Sequence, residues 1–281
     1  MSNARRLLHR FLRHRLGVMG AAFLLILCLL TLLAPVITDG LPNKACLSRI
    51  YQPPSREHIL GTDQLGRDVF TRVLYGARVS LQVGIVSVLI QLSLGVLLGS
   101  LSAIGGRWMD VLIQRVVEVF LGFPFLIIVL VLSSIIGGSQ TNIILIIGLV
   151  GWPPICRLIR GEILSLREQP FFEAARAYGI SMPRLLARHV LPNIVAPSLV
   201  AATLNCANAI LIEAQISFLG FGIQPPKPTW GNMLMTAGQV HILESKPWIW
   251  LAPGIAVVLT ILSLNFLGDA LRDAFDPKYY I

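Results

Sequence analysis

Charge is what this sequence has least of. Asp, Glu, Lys and Arg make up 13% of its 281 residues, while 55% are hydrophobic. A soluble chain of this length needs roughly a quarter charged residues to cover its surface. A soluble domain is therefore excluded, and a polytopic membrane protein is expected. Acid is scarcest: 14 Asp and Glu stand against 23 Lys and Arg. No aspartate falls within an apolar run, which removes the paired aspartates of an intramembrane protease. There is no G-x-x-x-x-G-K-[ST] loop to cradle nucleotide phosphates, no H-E-x-x-H and no G-x-S-x-G. Catalysis within the chain is not expected. The four cysteines, Cys28, Cys46, Cys156 and Cys206, form no disulfide framework, and none pairs with histidine at metal-ligand spacing.

What is present is long and apolar. A lipid-spanning helix needs about 20 mainly apolar residues, because its backbone must satisfy itself. Six stretches meet or approach that length: Leu16–Ile37, Val79–Ile104, Val111–Ile136, Asn142–Ile159, Ile194–Phe218 and Trp248–Leu267. None alternates as a barrel strand would. The net charge of +9 is explained by placement rather than by nucleic acid. Arginines crowd the segment before the first run, the second and fourth connections, and the end of the chain. The positive-inside rule makes that side the cytoplasm. The expected architecture is an all-α bundle of six transmembrane helices with both termini cytoplasmic. Residues 1–15 are then a basic tail, 16–37 the first span, 38–78 an extracytoplasmic loop, 79–268 a core of five spans, and 269–281 a cytoplasmic tail.

Within that loop, Asp68 to Ala77 reads as a short amphipathic helix. Val69, Phe70, Val73, Leu74 and Ala77 share one face, with Arg72 off the stripe. Pro124 interrupts the third span, Pro153 and Pro154 the fourth, and Pro197 opens the fifth, as hinges or as static kinks. A short helix is expected near Asn232 to Val240, with Met233 and Met235 packing. Two carboxylates fall in or near spans, where they are costly and often line a pathway. Glu118 is read either that way or as a partner of Arg115 one turn earlier. Glu213 is read equally as pathway-lining or as packed.

One polar interruption stands apart: EAARAYGISMPRLLARHVLPN, from Glu173 to Asn193, within a loop at 169–193 between the fourth and fifth spans. Pro170 suits the first turn of a helix. Phe171, Phe172, Ala175 and Tyr178 are expected to form one apolar face, and Gly179 to end the helix in the left-handed conformation. Ser181 then caps a second short helix, Pro183 suits its first turn and Pro192 stops it. Isolated helices this short are marginal in water. They must dock, on anionic headgroups or on a cytoplasmic partner.

Glu173-Ala174-Ala175, Gly179 and Leu191-Pro192 resemble the EAA–G–LP loop of permease subunits in ABC importers. LGTDQLGRDVFTRVLYGARVSL from Leu60, ISFLGFGIQPPKPTWGNML from Ile216 and NFLGDALRDAFDP from Asn265 resemble the C-type permease of the dipeptide, oligopeptide and nickel group. Residues Thr38 to Tyr51 depart from that group's pattern. The resemblance implies half of a translocation pathway in a bacterial cytoplasmic (inner) membrane. It also implies a second related permease, two cytoplasmic ATPases that bind ATP and Mg, and an extracytoplasmic substrate-binding protein. The coupling residues would be Glu173, Ala174, Ala175, Gly179, Leu191 and Pro192, with no cofactor or metal in this chain. Peptide is the expected cargo, nickel or other small cargo the alternative, and a stand-alone secondary transporter the competing class.

Overall fold

The computed structural model describes residues 9–38, 41–180, 182–185, 188 and 190–275, without the side chains of 173, 176, 182 and 183. Among these residues the regular structure is helical, apart from one isolated bridge between Thr62 and Asp68. The elements are α1 (Arg15–Ile37), α2 (Val69–Ile104), α3 (Arg107–Leu121), α4 (Phe125–Ile136), α5 (Gln140–Val150), α6 (Pro153–Arg167), α7 (Pro170–Ala177), α8 (Met182–Leu185), α9 (Leu191–Phe218), α10 (Trp230–Leu234), α11 (Val240–Ser245) and α12 (Pro247–Phe275). By length and composition α1, α2, the α5–α6 pair, α9 and α12 can each cross a membrane. The sixth expected span is α3 with α4, bent by 82° at the break between them. Pro124 has no N–H to continue the ladder, and it stands at the N-cap of α4.

The expected surface helix from Asp68 to Ala77 is not separate: it forms the first turns of the 36-residue α2. No glycine pair or proline interrupts the chain between Ala77 and Val79, so the helix runs through. At 1.5 Å per residue it is about 54 Å long, well beyond a hydrocarbon core of about 30 Å. The Asp68 carboxylate starts it by accepting from Thr71 N at 2.8 Å. Arg72 is only 3% exposed, against an expectation that put it off the buried stripe.

The fourth span halts at Val150 and restarts at Pro153, with both prolines in the first turn of α6. Gln91 Nε2 on α2 donates to Ile147 O beside that break at 3.0 Å. The fifth span opens at Leu191 with Pro192 in its first turn, so Pro192 starts a span instead of stopping a short helix, and Pro197 lies inside α9. The last helix runs on to Phe275, taking in residues expected in the tail. The loop after α9 holds α10, a 3-10 turn (Met235–Gly238) and α11 in place of one short helix. Met233 is buried there, whereas Met235 is exposed.

α2 is the central post. Val83 and Val88 on it pack with Ile147 on α5 and Ile210 on α9 in the main apolar cluster. α1 lies on the outside against α12, and small residues set that approach. A Cβ on Gly17 would come within 2.2 Å of Ala270 Cβ, and one on Gly20 within 2.7 Å of the Ser263 carbonyl oxygen. In lipid no hydrophobic effect drives helices together, so close van der Waals packing carries the contact. Gly20→Leu should therefore destabilise the purified chain by about 1–3 kcal/mol, read as a lowered midpoint of thermal unfolding in detergent. Leu at the exposed Ile26 should have no comparable effect.

Candidate functional site

The site is built around α7, eight residues long. Its N-terminus is set by Pro170, and Phe172 N donates to Gln169 O at 2.9 Å. Its C-terminus ends as the glycine predicts. Gly179 has φ +74°, and Ile180 N reaches back to Ala175 O at 3.2 Å, the outer bond of a Schellman cap. Ile180 then packs on the same apolar cluster as Ala175.

The apolar face is narrower than the four residues expected. Phe172 and Ala175, three apart, are 1% and 7% exposed, whereas Phe171 is 42% and Tyr178 87% exposed. One residue is about 100° around a helix, which carries Phe171 away from the seat, and Tyr178 lies past the last turn. Phe172 and Ala175 rest on Ile155, Ile159 and Ile163 of α6, with Ala103 of α2 and Ile194 of α9 in the same cluster. Leu185 of α8, fully buried, and Val190 complete it. Of the expected second helix, α8 keeps four residues. Ser181, its expected cap, and the side chain of Pro183 lie outside the described residues. Ala174, Gly179, Leu191 and Pro192 are exposed. The Glu173 backbone lies in the second turn of α7, and its side chain is outside the described residues.

Polar contacts tie this seat to the rest of the bundle. Arg167 Nη1, at the end of α6, donates to Ala103 O at the end of α2 at 2.6 Å. About two turns earlier on α6, Arg160 makes a two-pronged bond to Asp110 on α3, Nε to Oδ1 and Nη2 to Oδ2, each 2.6 Å. Ser102 Oγ donates to the same carboxylate at 2.5 Å and accepts from Gln114 Nε2 at 3.0 Å. The sequence reading missed Asp110 and Arg160. Their signal was opposite charges at the ends of two apolar runs, Val111–Ile136 and Asn142–Ile159, which a per-segment reading does not pair.

The two intramembrane carboxylates stand apart from this seat and from each other. Glu118 accepts from Arg115 Nη1 at 2.8 Å on an exposed face of α3. Glu213 is completely buried. Ser217 Oγ donates to its Oε1 at 2.8 Å and Ser80 Oγ to its Oε2 at 3.0 Å. Ser217 Oγ also accepts from Ile223 N at 3.2 Å, which fastens the loop after α9. The four cysteines are free thiols.

Residues 95–280 match the family described as the binding-protein-dependent transport system inner membrane component. The chain belongs to that family. It is accordingly a multi-pass inner-membrane transport subunit. Residues 2–54 match a second family, the N-terminal transmembrane domain of oligopeptide transport permease C. The permease is 45% identical over 270 residues to a putative peptide permease protein of Brucella suis, covering 96% of this chain and 89% of that one. It is 41% identical over 266 residues to the dipeptide transport system permease protein DppC of Alkalihalophilus pseudofirmus, covering 95% and 87%. Its fold is similar to a chain of the MetNI methionine ABC transporter solved in inward-facing conformations. The TM-score is 0.59 at 18% identity, over 73% of this chain and 97% of that one.

The Asp110–Arg160 contact joins α3 to α6 in this permease, with both side chains less than one-third exposed. In a double-mutant cycle, Asp110→Asn and Arg160→Gln should show a coupling of about 1–3 kcal/mol in unfolding free energy. Additive effects would mean that the two side chains do not act as a pair.

Proposed function

We propose that this permease forms half of the translocation pathway of a peptide importer and receives the ATP-driven movement through α7. Both termini and α7 face the cytoplasm. A second, related permease completes the pathway. Two cytoplasmic ATPases bind ATP and Mg and hydrolyse the nucleotide, and an extracytoplasmic protein delivers the cargo. Peptide, as dipeptide or oligopeptide, is the cargo class that the names of the 41–45% identical relatives support.

The observation that carries the reading is the way α7 is held. One narrow face is seated on α6, in a cluster that Ala103 of α2 and Ile194 of α9 also join, while Ala174, Tyr178 and Gly179 face outward. A short helix seated there transmits a push from its outer face to α6 and, through the cluster, to α2 and α9. Phe172 is the contact through which α6 receives it, and the Arg167 and Arg160 bonds pass it on to α2 and α3. Glu173, Ala174, Ala175, Gly179, Leu191 and Pro192 are assigned to this coupling region. Glu118 and Glu213 stay as pathway proposals. The former lies on an exposed face, and the latter would need the loop after α9 to lift.

A Cβ on Gly179 meets nothing within 4 Å. Within this chain a large side chain there costs only the left-handed backbone, about 1–2 kcal/mol. Against a docked ATPase it would collide. In the reconstituted complex, Gly179→Trp should lower transport per ATP hydrolysed by about tenfold, a coupling loss of about 1.4 kcal/mol, with the permease still folded. Gly179→Asn, which accepts the left-handed conformation, should retain most coupling. Unchanged coupling in Gly179→Trp would remove α7 from the mechanism.

A further inference from the structure

The opposite end of α2 carries a second built feature, in the loop that precedes it. Asp63, Arg67 and Arg72 are all buried, with Arg72 the most enclosed. One carboxylate serves two guanidiniums. Asp63 Oδ2 accepts from Arg67 Nε at 2.7 Å and lies 3.5 Å from Arg72 Nε. Asp63 Oδ1 is already taken by the backbone N–H groups of Leu65 and Arg67, at 2.9 and 3.0 Å. Arg72 Nη1 turns to neutral acceptors, Pro42 O at 3.3 Å and Asn43 Oδ1 at 3.2 Å. Neither Nη group of Arg67 is hydrogen-bonded to a described residue. The cluster thus carries one net positive charge, and the Nη fork of Arg67 is left open to solvent. Such a fork matches a carboxylate.

A cavity of about 180 Å³ adjoins these same side chains. Asn232, Met233, Thr236 and Gln239 from the loop between α9 and α12 also line it, and the exposed Met235 stands among its walls. Asp63 is the one acidic side chain in the lining. The volume is well above the about 10–15 Å³ that one water needs, and it has room for a small terminal residue. The walls are held in place. Asp68, which caps α2, is paired with His58 Nδ1 at 2.9 Å, and Thr229 and Asn232 cap α10 reciprocally.

We propose that this cavity is a carboxylate-binding site that takes the free C-terminal residue of a short peptide. The carboxylate meets Arg67, and the residue's side chain lies beside Met233 and Met235. The assignment rests on the reading of the cargo as peptide. In the proposed topology the cavity lies on the extracytoplasmic side, where cargo arrives. An anion there supplies the charge that Asp63 alone cannot, and Thr236 and Gln239 offer hydrogen bonds to the terminal amide.

The test uses the full-length permease in lipid nanodiscs, without ATPases, titrated calorimetrically with Ala-Ala, with amidated Ala-Ala and with acetate. Saturable binding of Ala-Ala is expected, weaker by about tenfold or more for the amide and weaker again for acetate. Arg67→Gln should abolish the preference for the free acid. Met235→Trp, which fills the cavity from its exposed wall and leaves the charge cluster intact, should weaken Ala-Ala binding by a similar factor if Arg67→Gln does not fold. Equal binding of acid and amide, absence of saturable binding, or acetate binding as tightly as Ala-Ala would overturn the proposal. Peptide uptake by the assembled complex is measured in parallel. Uptake that persists in Met235→Trp alongside unchanged binding removes the site and leaves the importer reading intact, whereas binding without uptake of any peptide removes the importer reading instead.

Discussion

The insertion of Phe172 among the isoleucines of α6 is the contact on which the proposed mechanism depends. A helix of eight residues has too few internal hydrogen bonds to persist alone in water. Seated, it is a rigid handle; unseated, it is a loop. The ring is 1% exposed, in an apolar cluster with the isoleucines of α6 that Ala103 of α2 and Ile194 of α9 also join. That cluster brings three membrane-crossing elements together at the foot of α7. The Gly179 turn closes the handle and directs the chain back to Ile180, Leu185 and Val190, which pack on the same cluster.

The polar bonds around the seat have a different role. Apolar packing holds α7 in place but tolerates sliding, whereas bidentate Arg160–Asp110 pairing fixes α6 against α3 in orientation. The same division recurs at the far end of α2. Trp230, buried whole, packs the loop after α9 and bonds Val73 O at 3.1 Å, while the Asp63 cluster and the Glu213 network fix its register. α2 connects the two ends: Ala103 near its C-terminus joins the α7 cluster, and Arg72 near its N-terminus joins the charged cluster.

Much of this was legible in the residues. Composition declared the membrane, and the apolar runs located the spans to within a few residues at their centres. Gly179 announced its own φ. What local reading got wrong were the places where tertiary contacts decide. The seam between Ala77 and Val79 vanished because a polar loop in sequence is no barrier to a helix with unbroken backbone bonds. Pro192, read as a stop, is a start, since proline suits either side of a boundary and only the neighbouring cluster chooses. Tyr178 kept the right spacing but fell one residue beyond the helix. A helical stripe leaves Arg72 outside, yet it is held by Asp63, Pro42 and Asn43, which lie in the loop before α2 and not on the helix. Asp110 and Arg160 are fifty positions apart, and no local pattern joins them.

In the proposed mechanism the outer face of α7 meets an ATPase while its inner face stays on α6. That arrangement is tested most directly by cross-linking from Ala174, which is exposed. A photoreactive residue at this position in the assembled complex should form an adduct with the ATPase subunit, and the yield should change between nucleotide-free and ATP-bound states. The same group at Ala175, which is buried on the cluster, should give adducts within the permease. Cross-linking from Ala174 to lipid alone, with no ATPase adduct in either state, would contradict the account.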